Sequence, residues 1–457
     1  MINIIPVEKN KEYIVEIESV TSEGMGVAHI DGFCIFVAQG VTHDKVKIMI
    51  LKVKSGYAYA KITELIEKSS YRTESVCSVF AKCGGCQLMH IDYEYQLKIK
   101  ENIINDALRR LGGLDCKVEQ MIGAEKSLRY RNKMIFPVGK DKNNMPVCGF
   151  YRERSHDIIP LDDCFLGDEV CGKIITAFNS FMQKNYISAY DEIKHKGIVR
   201  RIFIRKAYHT GEVMVVVSVN AKNLFYSDEL VRILTEVSPD IKSIILNINT
   251  KKTNTVLGDK NIILYGKETI EDYLCGMKYE ISPYSFFQIN PEQTQKLYDK
   301  AIEFADICKN DTVMDIYCGI GTISLAAAKK AKKVVGVEIV EAAIINARKN
   351  ADDNKVYNTE FYAADASEIV PELIKNGERP DIVILDPPRK GSDEQTLSAI
   401  VSAKPDRIVY VSCNPSTLAR DLKFLAQNGY DVKNVCGVDM FPNTTHVECT
   451  VRLCRKD

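Results

Sequence analysis

The chain carries no net charge: 61 Lys and Arg balance 61 Asp and Glu. Composition alone therefore gives no nucleic-acid signal, and any basic surface must be local. The sequence also lacks an uninterrupted apolar run approaching the ~20 residues of a membrane helix. Its N-terminus, Met1 to Tyr13, mixes apolar and charged residues without the apolar core of a signal peptide. These absences predict a cytoplasmic protein with no membrane partner. There is no internal repeat and no low-complexity segment, and 46% hydrophobic with 27% charged residues over 457 positions leaves no room for a fibrous or disordered class. The length suffices for two or three domains with their own cores.

Cysteine, by contrast, is plentiful. Fifteen cysteines in a reducing compartment do not read as a disulfide framework, so some are expected to be metal ligands or a nucleophile. Others, such as Cys308, Cys318 and Cys436, are expected to be small buried hydrophobes.

Along the chain the pattern changes three times. Residues 11–66 hold short alternating runs, with Asp31-Gly32 as a hairpin turn, and predict a small five-stranded β-barrel in which Lys45, Lys47, Lys52 and Lys54 supply local charge. Residues 75–170 contain a cysteine comb and two basic stretches, Arg129-Tyr130-Arg131-Asn132-Lys133 and Tyr151-Arg152-Glu153-Arg154, which read either as contacts to phosphate and bases or as a solvated strand edge. Residues 198–265 read as α+β, with a helix near Asp228 to Val237. From about 281, near-continuous apolar runs alternate with helix-like sequence, which predicts a doubly wound parallel sheet.

Asp315-Ile316-Tyr317-Cys318-Gly319-Ile320-Gly321-Thr322 follows the first of those strands and opens a helix, and Glu338 ends the second strand. Glycines permit close backbone approach, and a carboxylate at that strand end can hold a ribose diol. Two glycines serve a dinucleotide pyrophosphate poorly, so S-adenosylmethionine is the expected cofactor. Asp365 and Asp386 follow the third and fourth strands, where ligands bind in such sheets.

Asp386-Pro387-Pro388-Arg389 resembles the turn of enzymes that methylate exocyclic amines, but arginine stands where those carry an aromatic ring. A different acceptor is implied. Cys413, in Val411-Ser412-Cys413-Asn414-Pro415, ends the next strand and should lie in the same crevice. A thiolate is a soft nucleophile suited to an electron-poor carbon. Uracil offers a reason for one, because carbon 5 becomes nucleophilic only after addition at carbon 6. Cys413 is the expected nucleophile and Glu448, in His446-Val447-Glu448, the expected base.

With Ser285-Phe286-Phe287-Gln288-Ile289-Asn290, these motifs identify the chain as a member of the RNA (uracil-5-)-methyltransferase family. Over nearly its full length it is similar to the iron-sulfur members that act on large-subunit ribosomal RNA. The resemblance implies that Gln288, Tyr317, Glu338 and Asp386 contact the donor, that Cys413 and Glu448 are catalytic, and that the N-terminal barrel is a TRAM domain. Phe286 is either a ring that stacks on an extruded base or a core aromatic.

Cys77, Cys83 and Cys86 form a C-x5-C-G-G-C comb, with Cys164 far downstream. Four thiolates at one point mean zinc or an iron-sulfur cluster, and spacing does not separate the two. The resemblance selects a [4Fe-4S] cluster on Cys77, Cys83, Cys86 and Cys164, and excludes the nearby Cys148 and Cys171. Methyl transfer from a sulfonium moves no single electron, so the cluster is expected to be structural, cross-linking distant segments.

The expected architecture is a TRAM/OB-like barrel over 1–68, a central α+β domain with the iron-sulfur site over 69–280, and a Rossmann-like class I methyltransferase domain over 281–457, in a monomer. The expected reaction is formation of 5-methyluridine in 23S ribosomal RNA. Its rivals are the same reaction on transfer RNA, an amine methyltransferase, and a non-catalytic RNA-binding or ribosome-assembly protein.

Overall fold

A computed structural model describes residues 5–153 and 155–456. Met1 to Ile4, Asp457 and Arg154 of the second basic stretch lie outside the described residues. Sheets of six, seven and eight strands and a two-stranded hairpin organise the chain.

The first sheet runs in the order Glu12–Glu16, Lys45–Val53, Tyr57–Glu67, Phe33–Ala38, Gly26–Ile30, Ser19–Val20. It has one strand more than the sequence pattern predicts, because Ser19–Val20 is too short to show a period of two. Alternation does the rest: Val46, Ile48 and Ile50 point inward with Ile35, Val37, Ala58 and Ala60, all at most 1% exposed. Burying such side chains contributes roughly 1.5–3 kcal/mol each for the larger ones. Asp31 and Gly32 both have left-handed φ, 48° and 78°, as a tight hairpin turn between right-twisted strands requires.

The central sheet orders Ile158–Pro160, Pro146–Tyr151, Lys133–Lys140, Val199–Lys206, Val213–Val219, Ile241–Ile248 and Lys260–Gly266. Val213–Val219 is buried throughout, which explains its unbroken apolar sequence. The helix Glu169–Lys184 covers this sheet: Asp168 caps it by accepting from the Val170 amide, and Ile174, Ile175, Phe178, Phe181 and Met182 form its buried stripe.

The third sheet orders Thr359–Ala363, Lys333–Glu338, Thr312–Ile316, Ile382–Leu385, Arg407–Ser412, Glu448–Arg455, Tyr430–Val438 and Gln120–Ile122. The first five strands are parallel and Glu448–Arg455 is antiparallel to both neighbours. Strand order reverses beside Thr312–Ile316, which opens a crevice at the carboxyl ends. The sheet is not confined to 281–457. Its edge strand Gln120–Ile122 and the helix Tyr93–Ala107 come from far upstream, and Ile104, Ala107 and Leu108 share a core with Leu418 and Leu422. No helix among the described residues is long and apolar enough to cross a membrane.

Candidate active site

The first parallel strand of the third sheet ends in a turn built for close approach. Tyr317, Gly319 and Gly321 all have positive φ, and a Cβ on Gly321 would meet the Phe361 ring at 3.2 Å and Ala347 Cβ at 3.3 Å. Glu338 spans the neighbouring strand end, accepting from the Gly319 amide at 3.3 Å and the Val340 amide at 2.9 Å. Asp315 lies beneath, fully buried, with Ser324 Oγ donating to Oδ2 at 2.5 Å and Oδ1 without a partner. Burial pushes its carboxyl up to about 7; the Ser324 hydrogen bond opposes this, and the charges of Asp386 and Glu338 add to it. Tyr317 shares a 3.0 Å hydrogen bond with Ser392. Asp365, in contrast, is spent locally as a helix cap, accepting from the Ser367 amide at 2.9 Å.

Gln288 comes from the loop joining a hairpin to the helix Pro291–Ala305. Asn132 Nδ2 donates to its carbonyl at 2.9 Å. Arg205, 2% exposed, fixes the same loop by donating to the carbonyls of Ser282 at 3.1 Å and Ser285 at 3.0 Å. Phe287 is buried whereas Phe286 is 69% exposed, so Phe286 is not a core aromatic.

Cys413 follows the strand Arg407–Ser412 directly, and Asn414 caps the helix Pro415–Gln427 by accepting from the Ser416 amide at 3.0 Å. Ser412 pairs with Cys449 across the antiparallel ladder, so the next position places Cys413 beside Glu448. Glu448 is 3% exposed, and burial lifts its carboxyl from 4.5 to about 8, with Asp386 adding repulsion and Arg389 opposing it. Burial also pushes the Cys413 thiol up to about 11; Glu448 and Asp386 raise it further and Arg389 works the other way. Asp386 itself rises to about 7 through burial. A thiol and two proton-holding carboxyls thus share one electrostatic neighbourhood.

Sequence reasoning missed the buried polar groups that tie the helix Tyr93–Ala107 to the loop before Glu448. Lys100 and Asp439, both with fully buried side chains, form a 2.5 Å ion pair, Tyr93 Oη donates to Asp439 at 2.9 Å, and Lys100 also donates to the Phe441 carbonyl at 3.0 Å. No local pattern could have found a pair separated by 339 positions.

Cys77, Cys83, Cys86 and Cys164 line one cavity of about 640 Å³ together with Phe80 and Arg131. Burial raises the Cys83, Cys86 and Cys164 thiols, Cys86 to about 12, and charge on neighbouring cysteines of the set raises each further. Among the described residues no three His, Cys, Asp or Glu side chains are close enough to hold a metal ion. Cys148 and Cys171 belong to the apolar core of the central sheet. Cys318 and Cys436 are buried as expected, but Cys308 is exposed.

The first basic stretch does not face solvent as its sequence suggests. Arg129 pairs with Asp163 at 2.5 Å, Tyr130 is buried with Oη donating to the Pro442 carbonyl at 3.0 Å, and Arg131 lines the cysteine cavity. Burial lowers Lys133 to about 8. Arg129, Tyr130 and Asn132 thus join segments of the protein to one another.

An aromatic and basic surface lies instead on the first sheet. The rings of Phe36, Tyr57 and Tyr59 sit 5.5 to 5.8 Å apart on its outer side. Tyr59 is opposite Lys52, and Lys61 opposite Ala38 beyond it. Lys45 and Lys47 are engaged by Glu67 and by Glu12 and Glu64, whereas Lys52 and Lys61 have no ion pair among the described residues.

Sheet order, glycine turn and the acidic strand end define a class I methyltransferase fold. Residues 92–456 match the family model described as tRNA (Uracil-5-)-methyltransferase, and residues 6–63 match that of the TRAM domain. An uncharacterized RNA methyltransferase of Clostridium tetani is 46% identical over 98% of this chain and 97% of its own, and one of Clostridium acetobutylicum is 45% identical over 100% of both. Among solved structures, the tRNA (uracil-54, C5)-methyltransferase of Pyrococcus abyssi, in complex with S-adenosyl-L-homocysteine, superposes with a TM-score of 0.78 at 29% identity, covering 96% of this chain and 100% of that one. The chain belongs to the tRNA (uracil-5-)-methyltransferase family and carries a TRAM domain.

Proposed function

We propose that this protein methylates carbon 5 of a uridine in 23S ribosomal RNA, using S-adenosylmethionine and a transient bond between Cys413 and the base. The observation that carries this reading is the meeting of Asp386 and Cys413, just past the carboxyl ends of two adjacent parallel strands, with Glu448, which begins the antiparallel strand beside them. The residues at the turn suit this donor: left-handed glycines clear space, Glu338 offers a carboxylate to a ribose, and the orphaned Asp315 oxygen and Asp386 supply further carboxyl oxygens. Gln288, Tyr317, Glu338 and Asp386 are the residues assigned to hold it. When bound, S-adenosylmethionine supplies an electrophilic methyl group.

The chain's own groups do the remainder. Cys413, half-exposed, gives its proton to water and adds as the thiolate to carbon 6 of uracil, sending the ring electrons toward carbon 5, which gains the methyl group. Glu448 then takes the carbon 5 proton, the 5,6 double bond reforms and the Cys413 thiolate leaves. Arg389 favours the thiolate by its charge. The exposure of Phe286, on a loop fixed by buried Arg205, supports a role for its ring in stacking on an extruded base.

The four cysteines are assigned a [4Fe-4S] cluster. A donor set of four thiols around one cavity suits soft iron-sulfur chemistry. Iron and labile-sulfide analysis of anaerobically purified protein is expected to find the cluster, and an unchanged iron content in Cys164→Ser would remove this assignment.

The cysteine comb and the N-terminal sheet support ribosomal RNA, following the resemblance to iron-sulfur ribosomal enzymes. A second reading, transfer RNA, is supported by the end-to-end match to the Pyrococcus abyssi enzyme, named for a tRNA uridine. Incubation of both RNAs with labelled donor distinguishes them; labelling confined to transfer RNA overturns the first. With 5-fluorouridine RNA the wild-type protein is expected to form a stable covalent complex. Cys413→Ala is expected to form none, and a complex in that variant would end the covalent mechanism.

A further inference from the structure

Asn443 uses every polar atom it has. Buried at 4% exposure and left-handed at φ 67°, it lies in the loop between Tyr430–Val438 and the strand that begins with Glu448. Its carbonyl accepts from the amides of Gln87 and Leu88, both at 3.0 Å, immediately after Cys86. Its own amide donates to Gln96 Oε1 at 2.9 Å, its Oδ1 accepts from Gln96 Nε2 at 3.3 Å, and its Nδ2 donates to the Ser127 carbonyl at 2.7 Å. The chain onward to Glu448 is itself braced, with Thr444 Oγ1 donating to the Phe441 carbonyl at 2.8 Å and accepting from the His446 amide at 3.3 Å.

Three separate segments therefore converge on one side chain and its peptide: the end of the cysteine comb, the helix Tyr93–Ala107 and the loop before Tyr130. A left-handed backbone at a non-glycine residue is favourable mainly for asparagine, whose side chain bonds locally. We propose that Asn443 is a positioning residue that carries the conformation of the Cys83–Cys86 segment to Glu448, so that an ordered cysteine segment sets the base against carbon 5. The inference rests on Glu448 being the base. It gives the cysteine segment a role in proton removal with no electron transfer, since the coupling runs through hydrogen bonds alone. Such coupling is felt at the step Glu448 performs, because proton abstraction needs the base within hydrogen-bond reach.

Asn443→Gly keeps the left-handed backbone with its amide and carbonyl and deletes the side chain, with its bonds to Gln96 Nε2 and the Ser127 carbonyl. It is expected to bind donor and form the Cys413 complex with RNA at the parental rate, yet to release methylated RNA about tenfold more slowly, the scale of a small misplacement of a catalytic group. A methylated, covalently held RNA should accumulate. Deuterium exchange at the amides of Gln87 and Leu88 should quicken, and Cys86→Ser should reciprocally quicken exchange across 443–447. If Asn443→Gly fails to fold, Gln96→Met removes the same partner from the helix side and should slow the same step. Release at the parental rate, or a proportionate loss of donor binding, complex formation and release together, overturns the proposal. Glu448→Gln is the control: if it stalls release and Asn443→Gly does not, the positioning role alone fails, and if it releases product normally the base assignment fails with it.

Discussion

Glu448 holds a proton where an ordinary glutamate would not. Its carboxyl sits at about 8 because the crevice excludes water and Asp386 repels the second charge, with Arg389 offsetting part of both. The sign of its pH dependence follows. Below about 8 the group is mostly protonated and is a poor base, so turnover should climb as pH rises through that value and level off above it. Single-turnover release rates measured across this range test the expectation. A flat profile, or one falling with pH, would show that a different group removes the carbon 5 proton. Cys413 titrates higher, at about 11, and must shed its proton during addition. That loss precedes the release step, so Cys413 sets no limb of the release profile.

At the scale of elements, the proposed function gives the first sheet the holding of RNA and the third the reaction with it. The outer side of the first sheet presents Phe36, Tyr57 and Tyr59 between Lys52 and Lys61, which have no ion pair among the described residues. Rings at this spacing with cations beside them suit successive bases and phosphates of a single strand. Tyr57→Ala is expected to weaken RNA binding by roughly 1–3 kcal/mol, the usual cost of losing one stacked base. Fluorescence anisotropy with labelled RNA measures this, and donor affinity should not change. Equal RNA affinity in the variant would mean that this side of the sheet does not meet the substrate. The basic stretch Arg129–Lys133 looked equally suited to RNA in sequence, yet its groups face inward to Asp163, Pro442 and Gln288.

Across the whole molecule, distant segments are locked together by buried polar pairs. Lys100 and Asp439 are the deepest, and the desolvation of both charges is offset by a 2.5 Å ion pair and by hydrogen bonds from Tyr93 and to Phe441. Burial lowers Lys100, and Asp439 holds the charge against it. Lys100→Met strands a buried carboxylate and should cost about 3–5 kcal/mol in denaturant unfolding. Lys100→Met/Asp439→Leu should recover much of that loss, since neither charge then needs a partner. A double variant as unstable as the single one would show that shape, and not charge, is what the pair supplies.

Much of this was legible in the chain itself. The parallel strands of the third sheet announce themselves as apolar runs because both faces are covered, and Cys413, Glu338 and Asp386 are found by their places at strand ends. Local chemistry also fixes the Asp31-Gly32 turn and the period-two strands around it. What no local pattern contains is which segments meet. The strand Gln120–Ile122 joining the last sheet, the inward turn of Arg129–Lys133, the Lys100–Asp439 pair and the convergence on Asn443 join residues tens to hundreds of positions apart. Periodicity and propensity act over a few residues, so the sequence by itself determined the elements and their reactive ends. Only burial in the folded chain decided which polar groups face one another and which proton each one keeps.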